Sequence, residues 1–242
     1  MKAIHGGKAT HDKSDAHTIA LLLRGGMLPQ AYVYPAEMRA THELLHRRMH
    51  LARKHGALPA HVQHTNRQYN FPALGQKIAN KANRDGIAER FADPAVHKSI
   101  AIVLALIGYD DELLRDLELA IVKAARHDDA NTRYLLRPVP GFGMILSLVV
   151  RYEIHDIERF PRAQDFASYC RLVTCAKASA GKRYGTSGTT IGNAHLKWAF
   201  SEAAVLCLRD HPAGQKFLTR LENKHRKGKA LTILAHILAR AV

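Results

Sequence analysis

The segment Val96–His127 constrains the fold most. Leu106, Leu113 and Ala120 recur every seven residues, and Leu117 and Ala124 add a second apolar position. That spacing lays apolar side chains along one side of an α-helix over two or three heptads. Such a helix needs a partner for its apolar seam. The chain offers one in Glu37–His55, where Met38, Leu44, Leu45, Met49 and Leu51 supply apolar contacts. Arg39, Arg47, Arg48, Arg53 and Lys54 give the same segment a basic side. A helical hairpin within the chain and a coiled coil between two copies both satisfy the pattern.

The rest of the sequence is also predominantly helical in pattern, with few strand candidates. Asp12 is placed to cap a helix carrying Ile19, Leu22 and Leu23, which Gly25-Gly26 stops. Residues 56–95 are polar and broken by Pro59, Pro72, Gly75, Gly86 and Pro94, leaving room for short helices only. A turn and helix follow Ile157, where Phe160, Phe166 and Tyr169 fall on core spacing. Asn193 is a good cap for a helix from Ala194 to about Arg209, with Leu196, Phe200, Ala203 and Cys207 on its buried stripe and Trp198 beside it. His211-Pro212 ends that helix, and a short basic helix and a last amphipathic helix complete the chain. The expected fold class is mostly α.

Charge points to the partner. Thirty-six Lys plus Arg against 21 Asp plus Glu leave a net charge of +15, and the cations concentrate in Arg39–Lys54, Lys177–Arg183 and Arg220–Lys229. A polyanion, with nucleic acid foremost, binds such a surface by releasing counterions. Three cysteines without a C-x-x-C pair argue against a disulfide framework or a zinc knuckle, and fit a reducing cytoplasm. With no apolar run of about 18 residues and no charged-then-apolar leader, neither a membrane span nor secretion is expected.

Two glycine-containing stretches carry the candidate chemistry. Between Cys170 and Phe200, Gly181, Gly185, Gly188 and Gly192 are interleaved with Ser179, Ser187, Lys177, Lys182 and Arg183. Glycines allow close backbone approach to a ligand, and hydroxyls beside fixed cations suit phosphate. The plainer reading is a solvated basic loop. Upstream, Arg137–Gly143 reads R-P-V-P-G-F-G between two apolar segments, a spacing like that of a helix-hairpin-helix. There the backbone N–H groups at Gly141 and Gly143 would hold a phosphate oxygen. A tight connection is the alternative. Asp12 and Asp15, three apart, share a helix face and are a candidate pair of magnesium ligands; the helix dipole alone also favours acids there.

Three landmarks in fixed order carry a resemblance: D-K-S-D-A with L-L-L-R-G-G-M-L-P, then R-P-V-P-G-F-G, then C-R-L-V with A-S-A-G-K and I-G-N-A-H-L-K. Together they resemble the insertion-sequence-110 family of bacterial transposases, the DEDD-type recombinases, from about Asp12 to the C-terminus. The resemblance implies a remnant of a RuvC-like nuclease domain at 1–30, a helical or coiled-coil region at 31–130, and a transposase domain at 131–242. It implies that Asp12 and Asp15 are the last two of four acidic Mg²⁺ ligands. The other two would lie upstream, making this chain a truncated copy with an incomplete metal site. It implies a covalent phosphoserine link through Ser179, with Ser187 the runner-up, and charge stabilisation by Lys177, Lys182 and Arg183. It implies DNA and a guide (bridge) RNA as partners and a homo-oligomer that completes a composite site. An inactive nucleic-acid-binding remnant of such an enzyme is the competing expectation.

Overall fold

The computed structural model describes residues 12–28, 31–75, 77–126, 136–173, 175–179, 181–187 and 191–242. The fold is mostly α, as the apolar periodicities predict. It divides into two units, Met1–Pro35 and Ala36–Val242.

The first unit holds helix α1, Asp12–Arg24. Asp12 lies within its first turn rather than preceding it, so Asp12 and Asp15 both meet the positive end of the helix dipole. The Gly25-Gly26 stop forms as expected. Gly26 adopts φ +63°, Met27 N donates to Leu22 O at 2.9 Å and Gly26 N to Leu23 O at 3.1 Å, the Schellman pattern. No residue of α1 is buried, and Ile19, Leu21 and Leu23 are exposed.

In the second unit, α2 (Ala36–Gln68) packs against α3 (Pro94–Ala124). Asp93 caps α3 by accepting from Ala95 N at 2.8 Å and Val96 N at 3.2 Å, and Pro94 fills the first helical position. The seven-residue repeat of α3 is real, but its buried register differs by one residue from the expected one. Ile100, Ile107 and Ile121 are fully buried, whereas Leu106 and Ala120 are exposed. Both registers carry apolar residues every seven positions, and α2 takes the isoleucines. Ile102, Leu106 and Tyr109 are left on the outer side.

The region 56–95 is more ordered than its prolines and glycines suggest. Helix α2 continues through Pro59 to Gln68, although proline removes the bond to the His55 carbonyl. Burial beyond the proline offsets that loss. Val62, Ile78, Ile87, Ala88, Phe91, Ile100 and Ile107 make a second small core. Asn66, in the last turn of the helix, donates to Phe71 O at 3.3 Å and Pro72 O at 2.9 Å. The buried Arg84 guanidinium donates to Ile78 O, Ala79 O and Asp111, and so ties the segment to α3.

The main core joins α2 to the C-terminal helices: α4 (Met144–Ile154), α5 (Ala163–Tyr169), α6 (Ala194–Asp210), α7 (Pro212–Glu222) and α8 (Lys227–Ala241). Nearly all of α4 is buried, as is the expected stripe of α6. Ala199, Ala203, Ala235 and Ala239 are buried at the crowded face between α6 and α8, where small side chains let the helices come close. His211 ends α6 and also caps α7, its Nδ1 accepting from Gly214 N at 3.0 Å. Between α5 and α6 the glycine-rich stretch is not a plain loop. It contains an antiparallel pair, β1 (Cys175–Ser179) and β2 (Lys182–Ser187).

Candidate functional site

The hairpin register orders the candidate residues. Ser179 pairs with Lys182 at the closed end, Ala178 with Arg183, Lys177 with Gly185, and Cys175 with Ser187 at the open end. A bulge falls between Lys177 and Ala178, locally increasing twist. Gly181 turns the chain at φ +75°, a conformation glycine adopts freely. The two candidate serines therefore stand at opposite ends of the hairpin. Lys182 is exposed. Gly188 lies outside the described residues.

The return from the hairpin is fastened to the core. Gly192, at φ +102°, approaches Tyr169 so closely that a Cβ would lie 2.4 Å from its carbonyl oxygen. Asn193 N donates to Tyr169 O at 2.7 Å, and Arg171 Nε donates to Gly192 O at 2.7 Å. Here the glycine serves a close approach of backbone to backbone. Asn193 caps α6 as expected, its Oδ1 accepting from His195 N at 2.8 Å and Leu196 N at 2.9 Å.

The Pro140–Gly143 turn likewise faces the protein on one side. Gly141 adopts φ +89°, and a Cβ there would lie 2.1 Å from Ala203 O and 2.8 Å from Cys207 N. Its missing side chain makes room for the backbone of α6, which accounts for this glycine without a ligand. Gly143 is exposed and occupies the cap position of α4. Two shallow clefts flank the turn. One, of about 500 Å³, is bordered by Arg48, Arg53, Gly143, Ile145 and Trp198. The other, of about 390 Å³, is bordered by Arg137, Gly141, Arg209 and His211. Acids offset these arginines in part: Glu202 also borders the first cleft and Asp210 the second, and Arg48 is paired with Glu118, its Nη2 2.6 Å from Oε1.

At the far end of α4 from the turn lies a cluster that the sequence reading overlooked. Glu153, buried near the end of α4, meets His46 Nε2 at 2.5 Å and His42 Nε2 at 3.3 Å, both from α2. His195 Nδ1 stands 3.6 Å from the same oxygen, and Asn193 Nδ2 donates to the other at 2.5 Å. Burial pushes the Glu153 carboxyl up, but hydrogen bonds from His42, His46 and Asn193, with the charge of His46, hold it well below the usual carboxylate range. Burial lowers the His195 pKa, against the pull of Glu153. Two signals were in the sequence: histidines four apart on a helix, and a lone carboxylate in a largely apolar helix.

Asp12 and Asp15 belong to the other unit, where α1 carries them in its first turn. Among the described residues the group of three or more donors that could share an ion is His42, His46 and Glu153, and it includes neither aspartate. Two carboxylates in one helical turn do not by themselves meet magnesium's demand for octahedral oxygen coordination.

Residues 133–219 match the family model described as Transposase IS116/IS110/IS902 family. The match spans α4, α5, the hairpin, α6 and most of α7, and it includes Glu153, Asn193 and His195 but not His42 or His46. No curated protein matches the chain. No described helix is long and apolar enough to cross a membrane.

Proposed function

We propose that the chain works in DNA transposition, with Ser179 as the nucleophile of strand cleavage and rejoining. The transposase-family match over residues 133–219 carries the reading. The hairpin supports it by setting Ser179 opposite Lys182 at a glycine turn, with Arg183 and Lys177 at adjoining register positions. In this mechanism the Ser179 hydroxyl attacks a DNA phosphodiester. An O–P bond forms to serine as the bond to one strand end breaks, and the energy of the diester is kept for rejoining. Lys177, Lys182 and Arg183 stabilise charge on the attacked phosphate. Gly143 and the arginines of the flanking clefts hold the DNA or guide-RNA backbone. Partners in this reading are DNA, a guide RNA and further copies of the chain in the cytoplasm. Magnesium enters no step: Asp12 and Asp15 would serve an ion only together with acidic groups outside the described residues.

The test is incubation with labelled element-end DNA and guide RNA under denaturing readout. A covalent protein–DNA adduct is expected, lost in Ser179→Ala and kept in Ser187→Ala. The reverse pattern moves the nucleophile to Ser187. A second reading, a nucleic-acid-binding protein without cleavage, is favoured by the absence of a third donor beside Asp12 and Asp15 among the described residues. It predicts tight, salt-sensitive binding and no adduct from either parent or variants.

A further inference from the structure

We propose that His42, His46 and Glu153 form a binding site for a zinc-like divalent transition-metal ion, outside the chemistry assigned to the hairpin and independent of it. The donor atoms of these three side chains all lie within 4.8 Å of one another. His42 and His46 stand four residues apart on α2, so one helix face presents both imidazoles. Glu153 comes from α4, and both supporting helices belong to the same core, α2 through Met38, Leu45 and Met49 and α4 through Leu146, Val149 and Val150.

Three features favour an ion over a purely hydrogen-bonded network. First, one carboxylate oxygen faces three imidazole nitrogens, at 2.5 Å from His46, 3.3 Å from His42 and 3.6 Å from His195. A single oxygen accepts few well-aligned hydrogen bonds, whereas Lewis bases converging on one point suit a cation. Second, the rings crowd one another. The His42 and His46 centroids are 4.2 Å apart, and His46 stacks on His195 at 3.8 Å. Imidazolium charges so close repel, while metal ligation requires the neutral rings. Third, the outer support is present: Asn193 Nδ2 holds the far carboxylate oxygen at 2.5 Å, as partners behind a metal ligand commonly do.

The donor set selects the metal. Two imidazoles and one carboxylate suit zinc with a fourth position left for water or substrate, whereas magnesium prefers oxygen alone. Zinc ligands at about 2.0–2.2 Å in tetrahedral array stand roughly 3.3–3.5 Å from one another. The His42–Glu153 separation already matches this, and the His46–Glu153 hydrogen bond would open by under an ångström. The side chains of His42, His46 and His195 are 18%, 31% and 27% exposed against 4% for Glu153. An ion can therefore enter from the histidine side. His195, stacked on His46 with its Nδ1 3.2 Å from Met49 Sδ, walls the site.

The experiment uses the full chain stripped with chelator. Titration with ZnCl₂ is expected to show one tight equivalent and a raised melting temperature. CoCl₂ should give the intense visible bands of tetrahedral cobalt, a readout that needs no variant. His42→Ala and His46→Ala should each weaken zinc binding by at least about 100-fold, while the double variant His61→Ala/His64→Ala, on the exposed side of the same helix, should leave it unchanged. Absence of the tight equivalent and of the cobalt bands in the unaltered chain would overturn the site. So would zinc binding that survives both single substitutions but is lost in the His61/His64 variant.

Discussion

Replacing Gly141 by alanine separates a packing role from a phosphate-binding role. The backbone there sits at φ +89°, and the new Cβ would be 2.1 Å from Ala203 O. Holding a non-glycine residue in such a conformation costs about 1–3 kcal/mol. Forcing the turn away from α6 adds roughly another 1–3 kcal/mol of overpacking, because the neighbour is backbone and cannot swing aside. The sum, about 2–6 kcal/mol, lowers the melting temperature of a domain this size by something like 5–20 °C. Thermal melts followed by circular dichroism, with no nucleic acid present, measure it. A Gly143→Ala variant is the control: no atom lies within 4 Å of its Cβ and its φ is negative, so its melt should stay within about 2 °C of the parent. If Gly141→Ala melts with the parent and loses only nucleic-acid affinity, the close approach to α6 is wrong and the turn is a phosphate cradle after all.

Asn193→Ala removes the cap of α6 and one support of Glu153, and should cost about 2–3 kcal/mol in denaturant unfolding, above the roughly 1 kcal/mol of an ordinary cap. The register of α3 is tested by pairing Ile107→Ala, expected to cost about 2–4 kcal/mol, with Leu106→Ala, expected to change monomer stability by under about 0.5 kcal/mol. Stability should also fall on acidification. Folding holds the Glu153 pKa below its ordinary 4.5 and the His195 pKa below its ordinary 6.5. Both groups are thus held in their deprotonated forms, so their contribution is complete above about pH 6.5 and is lost progressively as the pH drops. Glu153→Gln should flatten the part of that profile below about pH 4.5, and an unchanged profile would remove Glu153 as its source.

The helices were legible because their signals are local. The Asn193 cap, the Gly25-Gly26 stop and the Leu196–Cys207 stripe each act within a few residues of themselves. The register of α3 was not, since its two apolar seams differ by one residue and only the partner helix chooses between them. The span 56–95 hid its order because its small core draws Val62, Ile78, Phe91 and Ile107 from distant positions. Glycine was ambiguous for a related reason. Gly141 and Gly192 make room for backbone carbonyls of Ala203 and Tyr169, contacts that no spacing in the sequence announces. The hairpin was obscured by its composition, since small and charged residues alternate there where an apolar face would have marked a strand.

The family match and the physical unit do not have the same boundaries, and Glu153 shows why. It lies inside the matched segment, yet two of the side chains that stabilise its charge, His42 and His46, come from α2, well before residue 133. Leu234, Ala235 and Leu238 of α8, after residue 219, close the same core. A fragment cut at the matched boundaries would keep a buried carboxylate with Asn193 as its main remaining donor, an arrangement that costs several kcal/mol when a buried charge loses its partners. It would also expose the apolar faces of α4 and α6. The hairpin with Ser179 depends on that core through the Gly192–Tyr169 and Asn193–Glu153 contacts. The fragment is therefore expected to lose hairpin placement and cooperative melting together, whereas the Ala36–Val242 unit should retain both.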